Sequence, residues 1–138
     1  MIEKIQITKA QLNDYFEFKK NIKKAIRDVR SRYEILILNA EGEKYKKIKY
    51  SLKYARCIDF DGDGIELNGT ETWAYGGRED HFVGLDLDLL YSEKAWVALR
   101  EDIAKDEAET ISRKIADENR KQRERKAQFN KLKKEFSE

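Results

Sequence analysis

The chain has no proline, a single cysteine, a single histidine and, after Gly84, no glycine. Each scarcity excludes something. One cysteine, Cys57, rules out an intramolecular disulfide framework and suits a reducing, cytoplasmic setting. No apolar run approaches the length of a membrane span, and MIEKIQITK is too polar for a signal peptide. The expectation is a cytoplasmic protein with no membrane association. Without proline or glycine, nothing interrupts a helix from Ser92 to Glu138, where Ser92 supplies the cap. At about 1.5 Å per residue such a rod would be roughly 65 Å long, against about 25–30 Å for a compact body built from the rest. It must overhang, fold back or pair.

What is abundant is charge, at 41% of 138 residues. The net charge of +2 conceals blocks: residues 1–58 carry 15 Lys/Arg against 7 Asp/Glu, residues 59–109 carry 4 against 15, and residues 110–138 carry 10 against 5. Such a layout suits self-complementarity or solvation, and its basic ends are able to attract nucleic acid.

The pattern predicts an α+β fold: an N-terminal amphipathic helix, a four- to five-stranded antiparallel sheet and a long C-terminal helix. Residues 1–91 would form the helix-plus-sheet domain, and residues 92–138 a charged helix for self-association or partner binding. Thr8-Lys9-Ala10-Gln11 fits a capping box, with Ile7 and Leu12 placed as a staple. Leu12, Tyr15, Ile22, Ile26, Val29 and Tyr33 then form the seam, set to pack on a sheet or pair with the terminal helix. Glu34 to Asn39 reads as an interior strand, and the alternation of Ile48, Tyr50, Leu52 and Tyr54, continued by Ile58 and Phe60, as another. Asp61-Gly62-Asp63-Gly64 signals a hairpin into Ile65, and Asn68-Gly69 a further turn. Thr70–Tyr75 and Phe82–Tyr91 complete the strands, with Trp73 and Tyr75 on one face.

Candidate chemistry is thin. Asp59, Asp61 and Asp63 with Gly64 match the start of a calcium loop, but its twelfth position is Thr70 where a glutamate is needed, so a hairpin turn is the better reading. Asp59, Asp61, Glu66 and Glu71 lack the companion lysine of a magnesium nuclease. A Cys57–His81 nucleophile–base pair would require an interior strand cysteine to be reactive, whereas such a residue is normally a small core side chain. No phosphate loop, dinucleotide fingerprint or zinc spacing occurs. The expectation is no catalytic residues, no cofactor and no metal.

Binding is the better class. Trp73, Tyr75, Arg78, Asp80 and His81 surround Gly76-Gly77, a mixture typical of protein interfaces, though the two aromatics also suit a core. On the terminal helix, Arg120 and Arg123 lead a basic run (with Arg113, Lys114, Lys121, Arg125 and Lys126) suited to a partner or to phosphates. Asp117, Glu118 and Glu124 interrupt that run, and no aromatic interleaves with it for base stacking. Ile111 and Ile115, then Phe129, Leu132 and Phe136, fall at seam spacing and are the expected self-association residues of a dimer. Burying each phenylalanine is worth roughly 1.5–3 kcal/mol.

The order of a capped lysine-rich helix, Trp73-Ala74-Tyr75-Gly76-Gly77 leading to Phe82-Val83-Gly84-Leu85-Asp86-Leu87-Asp88-Leu89-Leu90, and a long Lys/Arg/Glu helix resembles small accessory proteins of phages and prophages. Among these are inhibitors of host defence such as anti-CRISPR proteins. The resemblance implies a non-enzymatic protein that binds and inhibits a host protein or ribonucleoprotein, by steric or dimer-bridging means since only residues 59–109 are acidic. The alternative is a nucleic-acid-binding accessory protein using the basic helix.

Overall fold

The computed structural model describes residues 5–137. Three helices and three strands follow in the order α1 (Lys9–Ile37), α2 (Glu43–Tyr54), β1 (Cys57–Phe60), β2 (Ile65–Trp73), β3 (Gly77–Leu85) and α3 (Glu93–Phe136). Single 3-10 turns occupy Ala74–Gly76 and Leu87–Leu90.

The starts of α1 and α3 are as the sequence specifies. At α1 the Gln11 amide donates to the Thr8 hydroxyl at 3.1 Å while the Thr8 amide donates to the Gln11 side chain at 3.0 Å, closing the capping box. Ile7 and Leu12 both stay exposed. At α3 the Ala95 amide donates to the Ser92 hydroxyl, and the helix runs unbroken for 44 residues.

Two expected strands are helical. Residues 34–37 continue α1, because Ile37 falls in phase with Ile26, Val29 and Tyr33 and all four are buried. The β-branched residues there are overruled by this packing. The Ile48–Tyr54 alternation belongs to α2: Tyr45, Ile48 and Leu52 face the core at helical spacing, while Tyr50 and Tyr54 meet edge-on one turn apart on another side. A period-two pattern thus sampled two helical stripes. The antiparallel sheet consequently has three strands, ordered β1-β2-β3, rather than four or five.

Within the sheet, the Asp61–Gly64 turn joins β1 to β2, with the Asp61 carboxylate accepting from the Asp63 and Gly64 amides. Gly69 is not a turn. It lies inside β2 opposite His81, where a Cβ would sit 1.7 Å from the Tyr54 carbonyl oxygen at the end of α2. β3 stops at Leu85, since Leu87, Leu89 and Leu90 all seek the core and a 3-10 turn delivers them where a strand would alternate them.

The core lies between the inner sheet face (Ile65, Leu67, Val83, Leu85) and the three helices. Trp96, Leu99 and Ile103 insert from α3, so its first three turns belong to the body. Trp96 donates its indole N–H to the Leu89 carbonyl at 2.9 Å, and the Arg32 guanidinium lies 4.2 Å over its ring while gripping Glu93. Helix α2 is tied by charged side chains at each end. The Glu107 carboxylate accepts from the Glu41 and Gly42 amides at its start, and Arg30 donates to the Leu52 and Ala55 carbonyls at its finish. Both charges complement the helix dipole.

Contacts order α1 against α3. Arg32, in the last turns of α1, meets Glu93 at the start of α3, and Glu41, in the loop just beyond α1, meets Glu107 and Lys114 further along α3. The two helices therefore run in the same sense, and their uncovered halves, the start of α1 and the end of α3, project from opposite ends of the body.

Candidate interaction surfaces

The β2–β3 hairpin outruns the cover supplied by α2. Beyond the Gly69–His81 pair, the register continues through Glu71 and Glu79 to Trp73 and Gly77. The Trp73 indole lies over Gly77, where a Cβ would come within 1.8 Å of its nitrogen, yet Trp73 itself stays half exposed. Tyr75 sits at the tip with φ 68°, in the left-handed region, followed by Gly76 at φ 77°. An aromatic residue in that conformation costs roughly 1–2 kcal/mol, and the ring is fully exposed, so no intramolecular contact offsets the strain. Trp73 and Tyr75 do not share a strand face, because Tyr75 lies in the turn.

The remaining members of the expected hairpin cluster separate. Arg78 and Asp80 point to the outer, solvated face, paired at 3.3 Å, with the Thr70 hydroxyl donating to the same Asp80 oxygen at 2.9 Å. These bonds, Thr70 first and then Arg78, hold the Asp80 carboxyl below its usual value. His81 is on the inner face and only 4% exposed.

His81 anchors a network that the sequence did not disclose. Its Nδ1 lies 3.2 Å from the Ser51 hydroxyl and its Nε2 3.0 Å from Glu71, whose other oxygen accepts from the Tyr50 hydroxyl at 2.7 Å. Tyr54 stacks on the imidazole at 5.0 Å between centroids and Tyr50 meets it edge-on. The Tyr50 bond, and then His81, keep the Glu71 carboxyl below its usual value; the same bond raises the Tyr50 phenol. Serine, histidine and glutamate in contact invite comparison with a hydrolytic triad. Both ring nitrogens are engaged, as they are in a triad, but here the ring is only 4% exposed and a substrate could reach the imidazole only by displacing the tyrosines packed on it. The network pins α2 to the hairpin. Reading Ser51 and Tyr50 as strand residues hid it, since only a helix places positions 50, 51 and 54 around one ring.

Metal sites follow the same logic. Glu71, Glu79 and His81 bring ligand atoms within 4.8 Å of one another, but Glu71 is already satisfied by Tyr50 and His81. Asp59 accepts from the Asn68 side chain at 2.8 Å, and Glu66 lies on the face of β2 opposite to Glu71. Asp59 faces Glu66 across the β1–β2 pair and both line one cavity with Asp61, while Glu71 lies on the other face, so the four do not form one site. Among the described residues, Asp59, Asp61 and Glu66 bring no set of ligand atoms to metal-binding distance. Cys57 is exposed on an edge strand, not interior as expected, and on the face opposite to His81, so the two form no pair.

Uncovered apolar surface is concentrated on the two projecting helix halves. Every described residue from Ile111 onward is exposed, including Ile115, Phe129, Leu132 and Phe136. Arg120 and Arg123 are exposed there too, Arg120 within reach of Asp117 at 3.9 Å and Glu124 at 4.0 Å. On α1, Leu12, Tyr15, Phe16 and Phe18 are exposed in the same way. Phe16 and Phe18 fall off the heptad-like seam, so sequence periodicity passed over them. Among the described residues no helix is long and apolar enough to cross a membrane. No family model, curated protein or solved structure matches this chain.

Proposed function

We propose that the chain is a non-enzymatic interaction protein of the phage accessory type, which associates with a second copy through α3 and inhibits a host protein through the hairpin tip. The observation that carries this reading is where the apolar residues lie: a well-packed body keeps its core to itself, while Tyr75, Trp73 and the far half of α3 hold large apolar side chains in water. The strained, uncovered Tyr75 fits a residue held ready for a partner's pocket. His81 would support the tip from beneath, and Arg78 and Asp80 would flank it. Chemistry at the Ser51–His81–Glu71 network is disfavoured by its burial.

Two measurements test the proposal. Light scattering should give twice the chain mass. A host protein retained on the immobilised chain, and inhibited by it, should be lost with Trp73→Ser/Tyr75→Ser while the mass stays unchanged. A monomer that retains nothing would overturn both halves.

Nucleic-acid binding by the basic helix is the second reading, favoured by the exposure of Arg120, Lys121, Arg123, Arg125 and Lys126. Local pairing of Arg120 with Asp117 and Glu124 weakens it. A salt-sensitive gel shift abolished by Arg120→Gln/Arg123→Gln would favour this reading; no shift at low salt would remove it.

A further inference from the structure

The stripe that α3 turns toward its own body, Trp96, Leu99, Ile103 and then the half-buried Asp106 and Thr110, ends where Lys114 reaches Glu41 at 3.2 Å. A second stripe, about a quarter turn around the helix, starts at Ile111. It passes through Ile115, Glu118 and Gln122, then Arg125 and Phe129, to Leu132 and Phe136. The spacing alternates four and three without a break, which is the seam of a coiled coil, and all eight residues are exposed. Its ends are apolar and its middle is polar.

We infer that this stripe pairs with the same stripe of a second copy running antiparallel, about a two-fold axis between Arg123 and Glu124; the inference rests on the self-association half of the proposed function. In that register Ile111 meets Phe136 of the second copy and Ile115 meets its Leu132, each contact occurring twice. Glu118 meets Phe129 of the second copy and Gln122 meets its Arg125, so Glu118 and Arg125 lie in adjacent layers. Beside the seam, Lys114 faces Glu135 of the second copy, an opposite-charge pair. The pairing consumes residues 111–136 and stops where the body begins.

The alternatives set like charges together. A parallel, in-register pair would stack Glu118 on Glu118 and Arg125 on Arg125, and place Lys121 beside Lys126 on both flanks. Sliding the antiparallel pair by one heptad toward the bodies would set Glu107 against Glu135, Lys105 against Lys133 and Lys121 against itself. Sliding it the other way would leave Ile111 and Ile115 without partners and set Lys126 against itself. The polar middle thus selects direction and register. With about 1.5 Å per residue, the two bodies would stand roughly 60 Å apart, measured between the Ile103 positions. Each would carry a Tyr75 tip, making the assembly bivalent.

Double electron–electron resonance tests this on full-length chain in a Cys57→Ser background, spin-labelled at either Lys134→Cys or Glu124→Cys. The antiparallel register predicts about 30 Å between the labels at position 134 and under about 20 Å at position 124. Short distances at both positions would show a parallel pair, and about 40 Å at position 134 a one-heptad slip toward the bodies; either overturns the inference while leaving the dimer standing. A monomer by light scattering overturns the inference and the self-association reading together. Ile115→Asp, on a fully solvated stretch, should abolish the dimer with the circular dichroism unchanged; a persistent dimer would also overturn it.

Discussion

At the scale of single residues, the hairpin carries two backbone demands with opposite consequences. Gly69 is required because the end of α2 rests directly on it. Gly69→Ala forces helix and sheet apart and should destabilise the protein by about 3 kcal/mol, read as a lower urea midpoint. Tyr75 is the reverse case, a large residue where the backbone favours a small one. Tyr75→Asn, which tolerates the left-handed conformation, should raise stability by roughly 0.5–1 kcal/mol in the same assay. It should also weaken partner capture, which separates strain kept for binding from strain with no use. Glycine at 69 read as a turn because glycine marks turns and close approaches alike, and only the packing of α2 distinguishes them.

Among elements, α2 depends most on its neighbours. Its N-cap is Gly42, which has no capping side chain, so Glu107 from α3 takes that role. The Glu41 and Gly42 amides hold the Glu107 carboxyl below the ordinary glutamate value of 4.5. A lowered carboxyl contributes stability that is complete above the ordinary value and is lost as pH falls through the lower, folded one. Glu93, held down by Arg32, and Glu71, held down by Tyr50, act in the same direction. Thermal melts between pH 7 and pH 3 should therefore show falling stability below about pH 4.5. Glu107→Gln should flatten part of that slope, and an unchanged slope would show that the cap is unimportant. The starts of α1 and α3 were legible from Thr8, Gln11 and Ser92, because a cap is a local bond. The end of α1 and all of α2 were not. Ile35, Ile37 and the Ile48–Tyr54 run satisfy strand and helix patterns equally, and the choice rests on which side chains the core receives.

For the whole molecule, the body and the α3 projection are energetically separate. The core ends at Ile103, with polar ties at Asp106, Glu107 and Lys114. A chain ending at Thr110 should keep its melting temperature within about 3 °C, since no buried apolar contact is lost. That chain should be monomeric. A large drop in melting temperature would mean that the far half of α3 supports the body it leaves. Small-angle scattering from the intact protein should report an elongated particle with two masses separated by a rod.

The sequence by itself determined the helix caps, the hairpin at Asp61–Gly64, the absence of breaks in α3 and the isolation of Phe129, Leu132 and Phe136 from any nearby apolar neighbour. All of these follow from bonds and spacings within a few turns of chain. Tertiary structure alone decided that residues 34–37 and 48–54 are helical, that His81 is enclosed by Ser51, Glu71, Tyr50 and Tyr54, and that α1 and α3 run in the same sense. Each of those depends on which distant surfaces meet, and burial against a distant surface outweighs the small conformational preferences that a local pattern records.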